Sequence, residues 1–210
     1  MKKYIELHLH LDGAITIDIA KKLADLQEII LPAADDRELL KLLSVPEECE
    51  NLNDFLKCFA LPLTLLQTKE GIREAVYLVM EEQKKQGVVY AEIRFAPQLH
   101  CEKGLTQEDA VLAAVEGLKK SAVMGNLILC CMRGGDNDRE NRETVELAKK
   151  YLVKNGRNFS TENLIQICYR YSRELEHSDL NLNKMEELLE KEKIFSFKNL
   201  LLVSASSPHL

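Results

Sequence analysis

The chain has 210 residues, of which 46% are hydrophobic and 30% are charged, and its formal net charge is −6 at pH 7. This composition supplies a core and argues against wholesale disorder, while the acidic balance argues against binding to a nucleic-acid backbone. No apolar run is long enough for a transmembrane helix, and the first residues do not read as a signal peptide. Together with six cysteines that form no Cys-x-x-Cys pair, these features predict a cytoplasmic protein with reduced thiols and no membrane partner.

Hydrophobic periodicity predicts strands over residues 4–10, 88–95 and 127–132, the last of them a continuous apolar run expected to be buried on both faces. Helices are expected between and after them, with the third bent or broken at Pro62 and a capping box of Thr106 with Asp109 at the fifth. Their predicted starts lie after Thr16, near Arg37, at Asn53-Asp54, after Thr68, after Thr106 and near Glu140. Gly125-Asn126 is expected to form the turn before the third strand. The alternation of strands and helices is typical of parallel βαβ units, and the long first crossover is placed where it can cover a site.

The sequence feature that points most directly to chemistry is His8-Leu9-His10-Leu11-Asp12-Gly13. Residues two apart on a strand share a face, so His8, His10 and Asp12 converge where the first strand ends. Imidazole is a common zinc ligand, and parallel α/β folds place their sites at the carboxyl ends of strands. The alternative is that the two histidines belong to an ordinary hydrated strand face, and the pattern alone leaves both interpretations open.

Other candidates have simpler interpretations. Glu92 and Arg94 share the polar face of the second strand, either as a site pair or, more simply, as an ion pair filling a barrel interior. His100 follows that strand and is expected to be a surface loop histidine rather than a ligand. Phe55 and Phe59, with the leucine between them at position 56, form either the wall of an apolar pocket or, more simply, a helix core.

Residues 5–14, Ile-Glu-Leu-His-Leu-His-Leu-Asp-Gly-Ala, closely resemble the N-terminal motif of the adenosine deaminase family of metal-dependent hydrolases. Residues 90–100, Tyr-Ala-Glu-Ile-Arg-Phe-Ala-Pro-Gln-Leu-His, and residues 131–134, Cys-Met-Arg-Gly, resemble the family's second and third strands. Residues 141–144, Asn-Arg-Glu-Thr, also resemble the sequence of this family. The resemblance spans about residues 3–152.

This resemblance implies an α/β fold, the first three strands of an incomplete (β/α)₈ barrel, and a zinc-dependent enzyme of purine nucleoside metabolism. The implied reaction hydrolyses adenosine or deoxyadenosine to inosine or deoxyinosine and ammonia. By position, His8 and His10 would bind zinc, and His10 and Asp12 would contact the nucleoside. Phe55 and Phe59 would lie in the helical insertion over the purine.

The rest of the chain departs from the family. Residues 1–150 contain 14 alanines and 2 serines, whereas residues 151–210 contain 1 alanine and 7 serines. The family's His-Ala-Gly-Glu, Gly-His-Gly and Asp-Asp motifs do not occur in residues 151–210, so the proton-donating glutamate and the remaining zinc ligands stay unassigned. We expect an N-terminal barrel part, residues 1–152, and a divergent helical tail, residues 153–210, produced by truncation or a reading-frame change. The alternatives are therefore an inactive fragment of the enzyme or another His-x-His metal hydrolase.

Overall fold

The strands form one parallel sheet. The computed structural model describes residues 4–46, 48–132 and 136–151, together with the backbone of residues 201–204. The strands in this part of the chain are β1 (Tyr4–His10), β2 (Val88–Phe95), β3 (Met124–Cys130) and β4 (Leu201–Ser204). They lie in the order β1-β2-β3-β4, and each neighbouring pair is parallel. Sequential parallel strands joined through helices are the arrangement expected for the opening part of a (β/α)₈ barrel.

Helices fill the crossovers. In chain order they are α1 (Ile17–Leu26), α2 (Asp36–Leu43), α3 (Leu52–Leu56), α4 (Ala60–Leu65) and α5 (Lys69–Lys85) between β1 and β2, then α6 (Gln107–Lys120) and α7 (Asp138–Tyr151). Five of them begin at a residue whose side-chain oxygen accepts a hydrogen bond from a backbone N–H of the first turn: Thr16, Asp35, Asn51, Thr68 and Thr106. Such caps satisfy N–H groups that have no partner within the helix, and for this reason the predicted helix starts are close to the observed ones.

The core lies between the sheet and the helices α1, α5 and α6. Its fully buried side chains include Leu11, Leu23, Ile72, Ile93 and Leu127. Five consecutive residues of β3, from Gly125 to Leu129, are buried. The prediction that β3 is buried on both faces is therefore confirmed, as expected for a strand inside a parallel sheet.

Two local predictions differ from the structure. Gly125-Asn126 is not a turn, because both residues lie within β3 and pair with Ala91 and Glu92 of β2. A Cβ on Gly125 would lie 2.5 Å from the Ala91 carbonyl oxygen, so glycine here allows close packing of the strands. The helix predicted at Asn53-Asp54 is split into α3, a 3₁₀ turn at Lys57–Phe59, and α4. Pro62 occupies the first turn of α4, where its missing N–H costs little.

Beyond residue 151, the structure describes the backbone of β4, which pairs with β3 from Leu127 to Cys130. The helices predicted for residues 153–210 lie outside the described residues. None of the helices in the part of the chain that the structure describes is long and apolar enough to cross a membrane. The described cysteines, at positions 49, 58, 101, 130 and 131, carry free thiols, in agreement with the prediction.

The start of α6 provides a stability prediction. Thr106 Oγ1 accepts a hydrogen bond from the Asp109 N–H at 3.0 Å, and the Asp109 carboxylate accepts one from the Thr106 N–H at 3.2 Å. This reciprocal pair is the predicted capping box. We expect Thr106→Ala to lower the free energy of unfolding by about 1 kcal/mol in urea denaturation, since one N–H loses its acceptor. Thr106→Ser, which keeps the hydroxyl, is the control, and equal losses in both variants would contradict the capping role.

Candidate functional site

The His8 and His10 imidazoles meet at the carboxyl end of β1. Their Nε2 atoms lie 3.3 Å apart and their ring centroids 5.2 Å apart. Both residues are exposed. Leu9 packs against the core and Leu11 is fully buried, which holds the two histidines on the opposite face of the strand. The structure therefore brings together the two residues that the sequence pattern predicted to converge.

Pairing with β2 holds the end of β1 in place. His10 lies opposite Arg94, and the Leu11 N–H donates to the Arg94 carbonyl at 3.0 Å. The register of β1 with β2 shifts between Tyr4 and Ile5 and again between Glu6 and Leu9, so β1 is irregular around His8. A shift of this kind redirects side chains and is common beside functional sites. Leu7, within the irregular stretch, is 40% exposed.

Asp12 lies just beyond the histidine pair. The chain turns there in a 3₁₀ segment, Asp12–Ala14, and the Asp12 carboxylate accepts a hydrogen bond from the Gly13 N–H at 2.9 Å. Its Oδ1 atom is 4.0 Å from His10 Nδ1. Burial raises the pKa of Asp12, with the Gly13 hydrogen bond acting in the opposite direction. Asp12 therefore sits at the mouth of the site with its carboxylate held by the backbone.

The surroundings favour a neutral His10. Burial lowers the pKa of His10, and the positive charge of Arg94 lowers it further, while Asp12 acts in the opposite sense. A neutral imidazole has a free nitrogen lone pair, which is the form that binds metal ions. The electrostatics of the site are thus compatible with metal binding near neutral pH.

Arg94 joins the histidine pair, and Glu92 takes a different partner. Arg94 Nη1 lies 2.7 Å from His8 Nε2, and Arg94 Nε and Nη2 each lie 3.4 Å from Cys130 Sγ at the end of β3. Glu92 is buried and accepts a hydrogen bond from the Tyr90 hydroxyl at 2.9 Å. Burial raises the pKa of Glu92. The site therefore gains a guanidinium from β2 and a thiol from β3.

The sequence did not predict the contact of Cys130 with Arg94. It indicated only that Cys130 is a small apolar side chain with a reduced thiol. Its contact with Arg94 depends on the register of β2 with β3, in which Arg94 lies opposite Ile128. Residue 130 is two positions further along and on the same face. Only the order and register of the strands reveal this neighbour, and neither can be read from a local motif.

The histidine pair fits a metal ion as two ligands. Two nitrogens bound tetrahedrally at a zinc–nitrogen distance of about 2.0–2.1 Å would be separated by about 3.3 Å, which is the separation between the two Nε2 atoms. Within residues 4–46, 48–132 and 136–151, no group of three or more histidine, cysteine or acidic side chains is arranged to hold a metal. In this part of the chain the histidine pair is therefore a set of two nitrogens and not a complete metal site.

The helical insertion reaches the end of β1. Phe59 Cε1 would lie 3.5 Å from a Cβ placed on Gly13, so this ring packs over the turn that follows the histidines. Phe55 contacts Phe59 edge-on, with ring centroids 5.5 Å apart. Phe55 and Leu56 are 39% and 49% exposed, so the simpler interpretation of these residues as helix core is wrong for both. Phe59 therefore lies beside the candidate site, and Phe55 packs against it.

The prediction that His100 is a surface histidine is wrong. His100 is 1% exposed and lies in the 3₁₀ turn Pro97–His100. Its Nδ1 is 3.0 Å from the Leu66 carbonyl oxygen, and its ring packs against Phe95 at a centroid distance of 5.5 Å. Burial lowers its pKa to about 4. The residue links the helical insertion to the end of β2 from within the core.

Parallel strands joined through helices, with two imidazoles paired at the end of the first strand, define an α/β chain with the arrangement that opens a (β/α)₈ barrel. The sequence profile of the family described as Adenosine deaminase matches residues 4–156, well over half of the chain. The chain therefore belongs to the adenosine deaminase family. A second profile, described as the FliB lysine N-methylase C-terminal domain, matches residues 147–203.

Individual relatives agree with this assignment. An adenosine deaminase from Haemophilus ducreyi is 49% identical over 159 residues, which cover 71% of this chain and 45% of that protein. The crystal structure of an adenine deaminase from Arthrobacter aurescens superposes with a TM-score of 0.53 at 27% identity, covering 62% of this chain and 40% of that one. A zinc-bound amidohydrolase from Burkholderia ambifaria shares the fold, with a TM-score of 0.58 at 22% identity, covering 72% of this chain and 42% of that one. The chain spans about half the length of the curated relatives it matches.

Proposed function

We propose that this chain acts in the hydrolytic deamination of adenosine or deoxyadenosine to inosine or deoxyinosine and ammonia, a reaction of purine nucleoside metabolism in the cytoplasm. The proposal depends above all on one observation, the 3.3 Å separation of the His8 and His10 Nε2 atoms at the end of β1. Membership of the adenosine deaminase family supports the substrate class. The partners are small nucleosides, with no nucleic acid and no membrane.

His8 and His10 would hold a Zn²⁺ ion through their Nε2 atoms, since their separation fits two ligands of a tetrahedral site. The chemical contribution of the ion, when bound, is Lewis-acid activation of a water molecule near neutral pH. Partial burial and the charge of Arg94 lower the pKa of His10, which favours the neutral form that metal binding requires. These two residues therefore supply the metal-binding half of the proposed site.

His10 and Asp12 would contact the nucleoside, with the Asp12 carboxylate accepting a hydrogen bond from a ribose hydroxyl. The Gly13 N–H holds this carboxylate in place at 2.9 Å, so less ordering is needed when the sugar binds. Phe55 and Phe59 would cover the flat purine ring, because Phe59 lies beside the turn at Gly13 and Phe55, which packs against it, is 39% exposed. Aromatic side chains are suited to this contact through stacking.

A second candidate function is binding without turnover. The deamination chemistry needs a proton donor, and the family's His-Ala-Gly-Glu, Gly-His-Gly and Asp-Asp motifs are missing from residues 151–210. The described residues supply two metal ligands where catalytic zinc sites use three. These observations support the alternative that residues 1–210 bind zinc and nucleoside without turning the nucleoside over.

We also propose a division of the chain near residue 152. The adenosine deaminase profile ends at residue 156 and the FliB-type profile begins at residue 147, and alanine gives way to serine in the same region. Reading the coding DNA tests the origin of residues 153–210. A one- or two-base shift that restores the missing motifs would establish a reading-frame change, and an intact frame with similar tails in other proteins would contradict it.

The activity is tested by incubating the purified full chain with zinc and following the fall in adenosine absorbance. Turnover that is lost in His10→Ala and kept in Leu7→Ala would establish deamination at this site. Leu7 is the matched control because it lies on the same strand and is 40% exposed. Zinc and adenosine binding without turnover would establish the second candidate function, and the absence of both would contradict the proposal.

A further inference from the structure

Arg94 contacts the nitrogen through which His8 would bind a metal. Its Nη1 atom lies 2.7 Å from His8 Nε2 and 3.2 Å from His8 Nδ1. A donor on the lone-pair axis of Nε2 would lie far from Nδ1, so these two distances place the guanidinium against the side of the ring and not on that axis. A metal ion bound through Nε2 would still lie close to this permanent positive charge. The guanidinium and a metal ion would therefore repel each other at His8.

Cys130 holds the other side of the guanidinium. Arg94 Nε and Nη2 both lie 3.4 Å from Cys130 Sγ. Arg94 sits opposite His10 in the β1–β2 pairing and opposite Ile128 in the β2–β3 pairing. Its planar group thus spans three strands, with one edge on the β3 thiol and the other on the β1 imidazole. This anchoring keeps a permanent positive charge beside the histidine pair.

We infer that Arg94 opposes metal binding, so that a cation binds His8 and His10 only after the guanidinium has moved away from the His8 ring. The inference rests on the metal-binding role proposed for His8 and His10. Before the ion binds, the guanidinium lies against the His8 ring. Metal binding is weakened as a result, because two positive charges would otherwise lie close together.

The test is the Zn²⁺ affinity of the full chain, measured by competition with a chromophoric chelator. Arg94→Leu removes the donors and the charge while filling similar space near the strand. Repulsion between two unit charges that lie close together at a hydrated site corresponds to roughly a tenfold change in affinity. We expect Arg94→Leu to bind zinc about tenfold more tightly than the unaltered chain, and Cys130→Ala, which only loosens the anchor, to bind a few-fold more tightly.

Arg73→Leu is the matched control. Arg73 lies on α5, pairs with Glu116 at 3.7 Å and is 39% exposed, so its replacement changes the net charge equally away from the site. Its zinc affinity should equal that of the unaltered chain. Far-UV circular dichroism of each variant establishes that the fold is kept. If Arg94→Leu fails to fold, the comparison of Cys130→Ala with the unaltered chain still decides the inference.

Each outcome separates this inference from the proposed activity. Unchanged or weaker zinc binding in Arg94→Leu would overturn the inference and leave the metal site in place. Zinc binding by neither protein would overturn both. Tighter binding in Arg94→Leu without adenosine turnover would support the inference and count only against deamination.

Discussion

Replacing His10 with alanine is expected to lower the zinc affinity of the full chain by about 100-fold or more. The described residues offer two imidazole ligands whose Nε2 atoms are 3.3 Å apart, and loss of one leaves a single protein ligand from β1. Changing a residue that merely orients a metal ligand already costs roughly 10–100-fold in affinity. Loss of the ligand itself should cost at least as much, and His8→Ala should have a similar effect.

Isothermal titration of zinc into each variant measures this loss, with Leu7→Ala as the control on the same strand. Leu7 is 40% exposed and adjacent to His8, so its replacement reports any general disturbance of β1. An affinity that falls equally in Leu7→Ala and His10→Ala would show that the strand, and not the imidazole, is responsible. An unchanged affinity in His10→Ala would mean that zinc binds elsewhere.

Acidification is expected to destabilise the fold through His100. Its pKa is lowered from 6.5 to about 4 because the ring is buried. Between pH 6.5 and 4 the unfolded chain therefore binds a proton at His100 that the folded chain does not bind. The free energy of unfolding falls as the pH decreases through this range. The pKa shift corresponds to a loss of about 3 kcal/mol in the free energy of unfolding.

Urea unfolding of the full chain at several pH values between 4 and 7 tests this expectation. His100→Gln is the informative variant, because its amide can donate to the Leu66 carbonyl, which lies 3.0 Å from His100 Nδ1, but it does not titrate. The variant should be less stable than the unaltered chain at pH 7 and should lose less stability on acidification. Parallel losses in both proteins would assign the acid sensitivity to other groups.

Local patterns predicted most of the secondary structure. Strands β1 and β2 have the predicted bounds, because alternation of apolar and polar residues over a half-buried strand is a strong signal. The capping box at Thr106 and Asp109 was also predicted, since it depends on two residues three positions apart. The start of β3 was not predicted, because Gly125-Asn126 is a sequence typical of a turn. In the structure Gly125 pairs with β2 through its backbone.

The site was predictable as far as it depends on neighbours in the sequence. His8, His10 and Asp12 lie within five residues of each other, and strand geometry alone brings the two imidazoles together. The Arg94 contacts with His8 and Cys130 join three strands, and no local pattern carries strand register. His100 was misjudged for the same reason, since the Leu66 carbonyl that satisfies it belongs to the distant helical insertion.

The most direct test of the metal site is zinc X-ray absorption spectroscopy on the metal-loaded full chain. We predict a nitrogen shell at about 2.0–2.1 Å with the multiple scattering of two imidazoles, reduced to one in His10→Ala and lost in the His8→Ala, His10→Ala double variant. A first shell of sulfur, or of oxygen alone, or an imidazole signal that survives the double substitution, would contradict the assignment of His8 and His10 as the metal ligands.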